Sequence, residues 1–143
     1  MLKHWRSEKR KHEAKYKAIN WSICWACGLT SSQRPSYWNG PWLIHRAHIV
    51  NQPRLKDIRC VVGLCPLCHM IQEGDHYPDS EPERVQLTLE NLLWIKQKID
   101  PDNYDEKLLA ACSIRRLPNP EPPPAFYRSK VNQLALIRER VVS

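Results

Sequence analysis

The sequence predicts an α+β protein in which a small strand-strand-helix unit is stapled by zinc and flanked by helices. Two Cys-x-x-Cys pairs, Cys24/Cys27 and Cys65/Cys68, have the spacing with which four thiolates surround one tetrahedral zinc ion. Two short apolar stretches precede the second pair, and a helix start coincides with it. Further along the chain, apolar residues recur at helical intervals. These patterns place a structural zinc at the centre of the predicted fold.

The length of 143 residues allows one small domain with appendages, so the central part is expected to need its metal staple. Six cysteines without an apolar stretch behind the basic N-terminus favour metal-ligating thiols in a reducing compartment, and we expect a cytoplasmic protein. No run approaches the roughly 18 apolar residues of a transmembrane helix. The predicted parts are a basic N-terminal helical arm (1–20), a zinc-binding core (21–77), a helical extension (78–117) and a Pro-rich linker with a C-terminal helix (118–143).

The net charge of +7 is spread unevenly along the chain. Residues 1–17 carry seven basic side chains against two acidic ones, and residues 18–72 carry five against one. Residues 73–106 reverse the balance, with ten acidic side chains against three basic ones. This division is expected if one face of the protein meets phosphates and another does not. For the N-terminal arm alone, a solvated charged helix remains the alternative.

In the N-terminal half, a helix over 8–19 is expected to be capped by the Ser7 hydroxyl. Residues 20–27 should form the first zinc knuckle, and the polar segment 31–41 an exposed loop. Two indole rings are expected to cover the metal: Trp21 and Trp25.

In the central part, residues 42–50 and 58–64 predict two strands joined by a polar loop. A short helix should begin at Pro66 or Cys68 and end near Glu73, because Gly74 can adopt the left-handed conformation that terminates helices. Strand, loop, strand and helix therefore follow one another, which is the order of a ββα unit.

In the C-terminal half, Thr88 should cap a helix over 89–99, and a second helix is expected over 102–111. Five prolines between residues 118 and 124 predict a stiff extended connector. A last helix over 126–141 has apolar residues at helical spacing and could pack on the core or on a partner.

The segment 24–73 resembles the HNH endonucleases, of the subtype whose ββα-metal (His-Me finger) hairpin is held by a four-cysteine zinc. The resemblance is carried by the two cysteine pairs, by His48 before an aliphatic residue, and by Leu64-Cys-Pro-Leu-Cys-His69. Two positions depart from the family pattern. Ala47 stands where many members have an Asp or His metal ligand, although some carry Ala-His-Ile, and Cys60 stands where the family has an Asn that fixes the hairpin. Asn91-Leu-Leu-Trp-Ile-Lys also resembles small HNH proteins of bacteria and phages.

The chemistry of phosphodiester hydrolysis agrees with this resemblance, because it needs a base for water and a Lewis acid for the charge that develops on phosphate. His48 is the candidate base, since a neutral imidazole titrates near working pH. His69 is the candidate ligand of a catalytic divalent ion (Mg²⁺, Mn²⁺, Ni²⁺ or Zn²⁺), with Glu73 or His45 as a second ligand. The alternatives for His48 and His69 are a purely structural role or, for His69, competition for the zinc.

The resemblance implies a metal-dependent endonuclease that nicks DNA or cleaves it with weak specificity. Arg46 and Arg59 are candidate phosphate ligands, and the partners expected are DNA and either a second copy of the chain or a larger nucleic-acid-processing assembly. Two alternatives stay open: a non-catalytic zinc module that binds nucleic acid, and an adaptor that docks through its acidic segment and C-terminal helix.

Overall fold

The computed structural model describes residues 10–17, 21–50, 56–75 and 78–138. In these ranges the chain forms five α-helices and one two-stranded antiparallel sheet, which confirms a mixed α+β protein. The elements are α1 (10–17), β1 (His45–His48), β2 (Val61–Leu64), α2 (Pro66–Gln72), α3 (Leu89–Ile99), α4 (Glu106–Cys112) and α5 (Ala125–Leu136), with short 3-10 turns at Ile58–Cys60 and Pro101–Asn103.

The predicted order of two strands followed by a helix is confirmed, but both strands are shorter than predicted. β1 pairs with β2 in a register that sets His45 opposite Leu64 and His48 opposite Val61. The second strand starts late because the Asp57 side chain accepts a hydrogen bond from the Arg59 amide at 3.0 Å and caps a 3-10 turn. Local capping therefore replaces the first three residues of the predicted strand.

The helix after the second cysteine pair begins and ends close to the predicted positions. Pro66 occupies the first turn of α2, where its missing N–H costs no hydrogen bond. Glu73 caps the C-terminus, and Gly74 follows with a φ of +101°, which favours glycine. The residue at the N-cap is Cys65, so the helix start and the second knuckle are one structural unit.

The prediction for α3 is confirmed, because Thr88 and Asn91 form a reciprocal capping box at its start. The helix predicted over 102–111 begins later, at Glu106, since the Asp105 side chain caps it. The C-terminal helix ends at Leu136, short of the predicted Val141. Ser7 and the residues beyond 138 lie outside the described part of the chain.

The core lies between the hairpin and α3, and α5 covers α3 from the other side. Leu92, Leu93 and Ile95 of α3 are fully buried. Tyr127, Val131 and Leu134 form the apolar stripe of α5, and all three are buried. The C-terminal helix therefore packs on the core, which is one of the two placements that its sequence allows. In the described ranges, no helix combines the length and the apolar character needed to cross a membrane.

A buried charge pair joins α3 to the base of the hairpin. Lys96 has no exposed surface, and its Nζ donates to Asp100 Oδ2 at 2.9 Å and to the Ile58 carbonyl at 2.5 Å. The same Nζ lies 5.3 Å from the ring centroid of Trp25. Burial lowers the pKa of Lys96, and the nearby Asp100 carboxylate opposes this shift. The pair fixes the 3-10 turn before β2 against the helical half of the protein.

The Asp100→Ala variant is expected to unfold about 3–5 kcal/mol more easily than the wild type, because the Lys96 charge would lose its buried partner. Equilibrium urea denaturation of the metal-loaded proteins measures the difference. Asp102→Ala, at an exposed carboxylate on the neighbouring turn, is the control and should change stability by less than about 0.5 kcal/mol. Equal stabilities for the two variants would contradict the role of the pair.

Candidate metal centre and adjoining cleft

The four cysteines of the two predicted pairs converge in the core. All four are buried, and their sulfur atoms lie within 4.8 Å of one another. The Sγ atoms of Cys27 and Cys65 are 3.8 Å apart. Tetrahedral Zn–S bonds of about 2.3 Å imply a separation of about 3.8 Å between ligand sulfurs. The cluster therefore fits a structural metal such as zinc in both donor type and spacing.

Backbone hydrogen bonds shape the first knuckle and tie it to the hairpin. The Gly28 amide donates to the Cys24 carbonyl at 2.9 Å, and Gly28 has a φ of +79° that its missing side chain allows. The Trp25 amide donates to the Gly63 carbonyl of β2 at 2.8 Å. Each knuckle also turns one amide toward sulfur, from Cys27 to Cys24 Sγ at 3.5 Å and from Cys68 to Cys65 Sγ at 3.4 Å.

Aromatic rings fill the space beside the first knuckle. Trp25 is fully buried and stacks with Trp21, with ring centroids 6.1 Å apart and an angle of 10° between the planes. A Cβ atom at Gly63 would lie 3.0 Å from Trp25 Nε1, so a larger residue there would displace the indole. The glycine in β2 is therefore explained by the close approach of this ring.

Arg84 contacts the cysteine cluster, a role that no local sequence pattern indicates. Its side chain is buried, and Nη1 donates to Cys68 Sγ at 3.1 Å while Nε donates to Glu81 Oε2 at 3.0 Å. Burial acts to lower the pKa of Arg84, but the neighbouring cysteine sulfurs and Glu81 raise it well above its usual value. The one sequence signal was a basic residue inside an otherwise acidic segment.

A cleft of about 400 Å³ opens between the end of β1 and α2. Its lining contains a cation, two imidazoles and a carboxylate among apolar and amide groups: Arg46, His48, Ile49, Val50, His69, Gln72 and Glu73. His48 reaches the cleft from the last position of β1, and His69 reaches it from the turn of α2 that follows Cys68. The candidate base His48 and the candidate metal ligand His69 therefore both lie in the wall of this cleft.

His69 contacts a different predicted residue with each ring nitrogen. Nδ1 lies 2.9 Å from His45 Nδ1, and Nε2 lies 3.2 Å from Glu73 Oε1. Burial lowers the pKa of His69, and the histidines at 45 and 48 act in the same direction, whereas Glu73 opposes them. The lowered pKa favours the neutral form of the His69 ring, which is the form that ligates metals. Within the described ranges, the four cysteines are the single group of three or more potential metal ligands.

Arg46 lies on an aromatic platform at the edge of the cleft. Its guanidinium carbon is 4.8 Å from the centroid of Tyr16 in α1 and 5.1 Å from that of Trp21. The side chain of Arg46 is exposed, as are four basic side chains of α1: Arg10, Lys11, Lys15 and Lys17. The packing of Tyr16 therefore brings a positively charged helix next to the cleft.

Three other positions that the sequence singled out do not line the cleft. Arg59, predicted as a phosphate ligand, binds Asp57 through Nε and Nη2 and Asp105 through Nη1, and it does not line the cleft. Ala47 is buried, and its methyl group has no atom that could ligate a metal. Burial raises the pKa of Cys60 to about 12, which keeps this fully buried thiol neutral, as expected of a small apolar residue.

No family model, curated protein or solved structure matches this chain. The residues themselves define two adjacent groups, the four-cysteine cluster and the cleft. Consecutive residues join them, because Cys68 belongs to the cluster and His69 to the cleft wall. A metal in the cluster would therefore fix the backbone on which the His69 side chain stands.

Proposed function

We propose that the protein is a metal-dependent endonuclease of the HNH type that hydrolyses DNA phosphodiester bonds, with a structural zinc held by its four cysteines. One observation carries the proposal. A candidate base (His48), a candidate metal-ligand pair (His69 and Glu73) and an exposed cation (Arg46) line the same cleft, directly beside the cluster. Phosphodiester hydrolysis needs a base and a Lewis acid, and a cation beside them would bind the substrate phosphate.

In this proposal, His48 accepts the proton of the water molecule that attacks the phosphorus atom. The new bond joins the water oxygen to phosphorus, the bond from phosphorus to the 3′ oxygen breaks, and the leaving oxygen takes a proton from solvent. The position of His48 at the end of β1 supports this role, because the pairing of β1 with β2, which sets His48 opposite Val61, holds its backbone in place.

His69 Nε2 and Glu73 would hold the catalytic divalent ion, since both face the cleft and lie 3.2 Å apart. Such an ion supplies Lewis acidity for the phosphate and the leaving oxygen. His45 meets the other nitrogen of the same ring, so it orients the imidazole rather than sharing the ion. A site with two protein ligands suits ions such as Mg²⁺ or Mn²⁺, whose remaining positions are filled by water and substrate phosphate.

Arg46 would bind the phosphate next to the scissile one. Its stacking on Tyr16 and Trp21 restricts the long side chain before DNA arrives, which lowers the entropic cost of the contact. The exposed basic residues of α1 add phosphate contacts without reading bases, so binding should weaken steeply with salt. Nicking or weakly specific cleavage agrees with this arrangement.

The test is nicking of supercoiled plasmid by the zinc-loaded protein with Mg²⁺, Mn²⁺, Ni²⁺ or Zn²⁺ added, compared with protein desalted to remove weakly held ions. The expected result is open-circle plasmid only when a divalent ion is added. The double variant His48→Ala/His69→Ala, purified in parallel, controls for contaminating nucleases and should leave the plasmid supercoiled.

One result would overturn the enzyme proposal. If the wild-type protein binds the plasmid in a salt-sensitive way and cuts it with none of the four ions, a non-catalytic zinc module that binds nucleic acid becomes the better account. The buried Ala47 would then mark the lost ligand position.

A further inference from the structure

We propose that Arg84 is a positioning residue of the metal centre, which neutralises thiolate charge at Cys68 and fastens the C-terminal half of the protein to the metal. This role rests on the proposed binding of zinc by the four cysteines. It does not depend on nuclease activity, and nothing in the resemblance to the HNH endonucleases implies it.

The contacts of Arg84 show that its charge is directed at the cluster. The residue is 1% exposed, although it belongs to a segment without regular secondary structure. Nη1 lies 3.1 Å from Cys68 Sγ, a short distance for a hydrogen bond from nitrogen to sulfur. Nε binds Glu81, whose side chain is 46% exposed, so solvent screens this ion pair more than it screens the buried contact with sulfur.

The charge of a loaded site would make this contact strongly favourable. Four thiolates on one Zn²⁺ leave a net charge of about −2 in the core. Cys24 and Cys65 each receive a backbone amide from their own knuckle, but Cys68 receives the guanidinium instead. A hydrogen bond from a cation withdraws electron density from sulfur and screens the charge between neighbouring thiolates.

Arg84 also connects the centre to the last helix. Its guanidinium carbon lies 5.2 Å from the ring centroid of Phe126 in α5. The next residue in the chain, Val85, accepts a hydrogen bond from the Tyr127 hydroxyl at 2.8 Å. The segment of Arg84 and Val85 therefore bridges Cys68 and α5, which has no cysteine of its own in the cluster.

Removal of such an outer-shell partner typically lowers metal affinity 10- to 100-fold. The test uses the full chain, with Arg84→Met and Arg84→Lys compared with the wild type. Competition with a chromophoric chelator measures zinc affinity, and the charge-transfer band of the Co²⁺-substituted protein reports the electron density on sulfur. Arg84→Met should bind zinc about 10- to 100-fold more weakly. Its Co²⁺ band should move to longer wavelength, and Arg84→Lys should lie between Arg84→Met and the wild type.

Arg59→Met is the matched control, because it removes a partly buried arginine whose guanidinium binds two carboxylates, Asp57 and Asp105. It should leave the Co²⁺ band in place, even if it lowers stability. The proposal is overturned if Arg84→Met keeps wild-type zinc affinity and band position, or if Arg59→Met shifts the band equally. A wild-type chain that binds no zinc would overturn the proposed zinc site as well as the role of Arg84. Failure of plasmid cleavage alone would overturn the nuclease proposal but neither the zinc site nor the role of Arg84.

Discussion

The His48→Ala variant is expected to bind plasmid DNA as the wild type does but to nick it about 10²- to 10⁴-fold more slowly, the usual loss for a general base. His48 lies at the end of β1 and is only partly buried, so alanine should be accommodated without unfolding. Initial nicking rates at saturating divalent ion, together with a gel-shift titration, separate the chemical step from binding.

A second variant shows whether the loss at His48 concerns the base or the metal. Glu73→Gln keeps the shape of the side chain but weakens its ligand oxygen, so it should raise the metal concentration needed for half-maximal nicking. His48→Ala should leave that concentration unchanged while lowering the maximal rate. Nicking by His48→Ala at the wild-type rate would contradict the proposed role of the histidine.

Replacing Cys65 and Cys68 together by serine is expected to abolish both zinc binding and the cooperative unfolding transition. Both thiols lie at the start of α2, and both are fully buried. Structural zinc sites contribute apparent binding energies of about 10–16 kcal/mol. Domains of this size are stabilised by about 5–15 kcal/mol in total, so the loss is comparable with the whole stability of the protein.

Native mass spectrometry would give the zinc content of this variant, and thermal unfolding followed by circular dichroism would report its fold. Cys112→Ser is the control, because Cys112 is outside the cluster and partly exposed. The control should retain one zinc and a single transition. A double serine variant that still unfolds cooperatively at the wild-type temperature would show that the cluster is not a structural staple.

The features that the sequence predicted well depend on residues close together in the chain. The start of α3 follows from Thr88 and Asn91, three residues apart. The side chain of each accepts a hydrogen bond from the backbone amide of the other. The cysteine pairs are equally local, since each knuckle is a turn that its own amides complete. Such patterns are visible in any window of a few residues.

The features that the sequence analysis missed depend on partners distant in the chain. Arg59 was predicted to meet phosphate, yet besides the nearby Asp57 it binds Asp105, 46 residues away, and neither Arg59 nor Asp105 carries a local signal for the other. Lys96 lies in the helix that was predicted over 89–99, but its burial depends on the Ile58 carbonyl, 38 residues away. The contact of Arg84 with Cys68 is of the same kind, because tertiary packing alone brings the two side chains together.

The contacts within the candidate cleft could be predicted only in part. His45 was predicted as an alternative second ligand beside His69, and its Nδ1 lies 2.9 Å from His69 Nδ1. Helical spacing likewise brought Glu73 to His69. It could not be predicted that His69 Nδ1 contacts His45 while Nε2 contacts Glu73, because this arrangement depends on the distance between the hairpin and α2.

The hydrogen bond from the Trp25 amide to the Gly63 carbonyl bears on self-association. A two-stranded sheet has two edges, and each unpaired edge can recruit a strand from another molecule. The first knuckle binds the outer edge of β2 at Gly63. At β1, the exposed side chains of His45 and Arg46 hinder pairing with another strand. The turn that brings Cys24 and Cys27 into the cluster thus also protects β2, the more apolar strand of the hairpin, from pairing with another molecule.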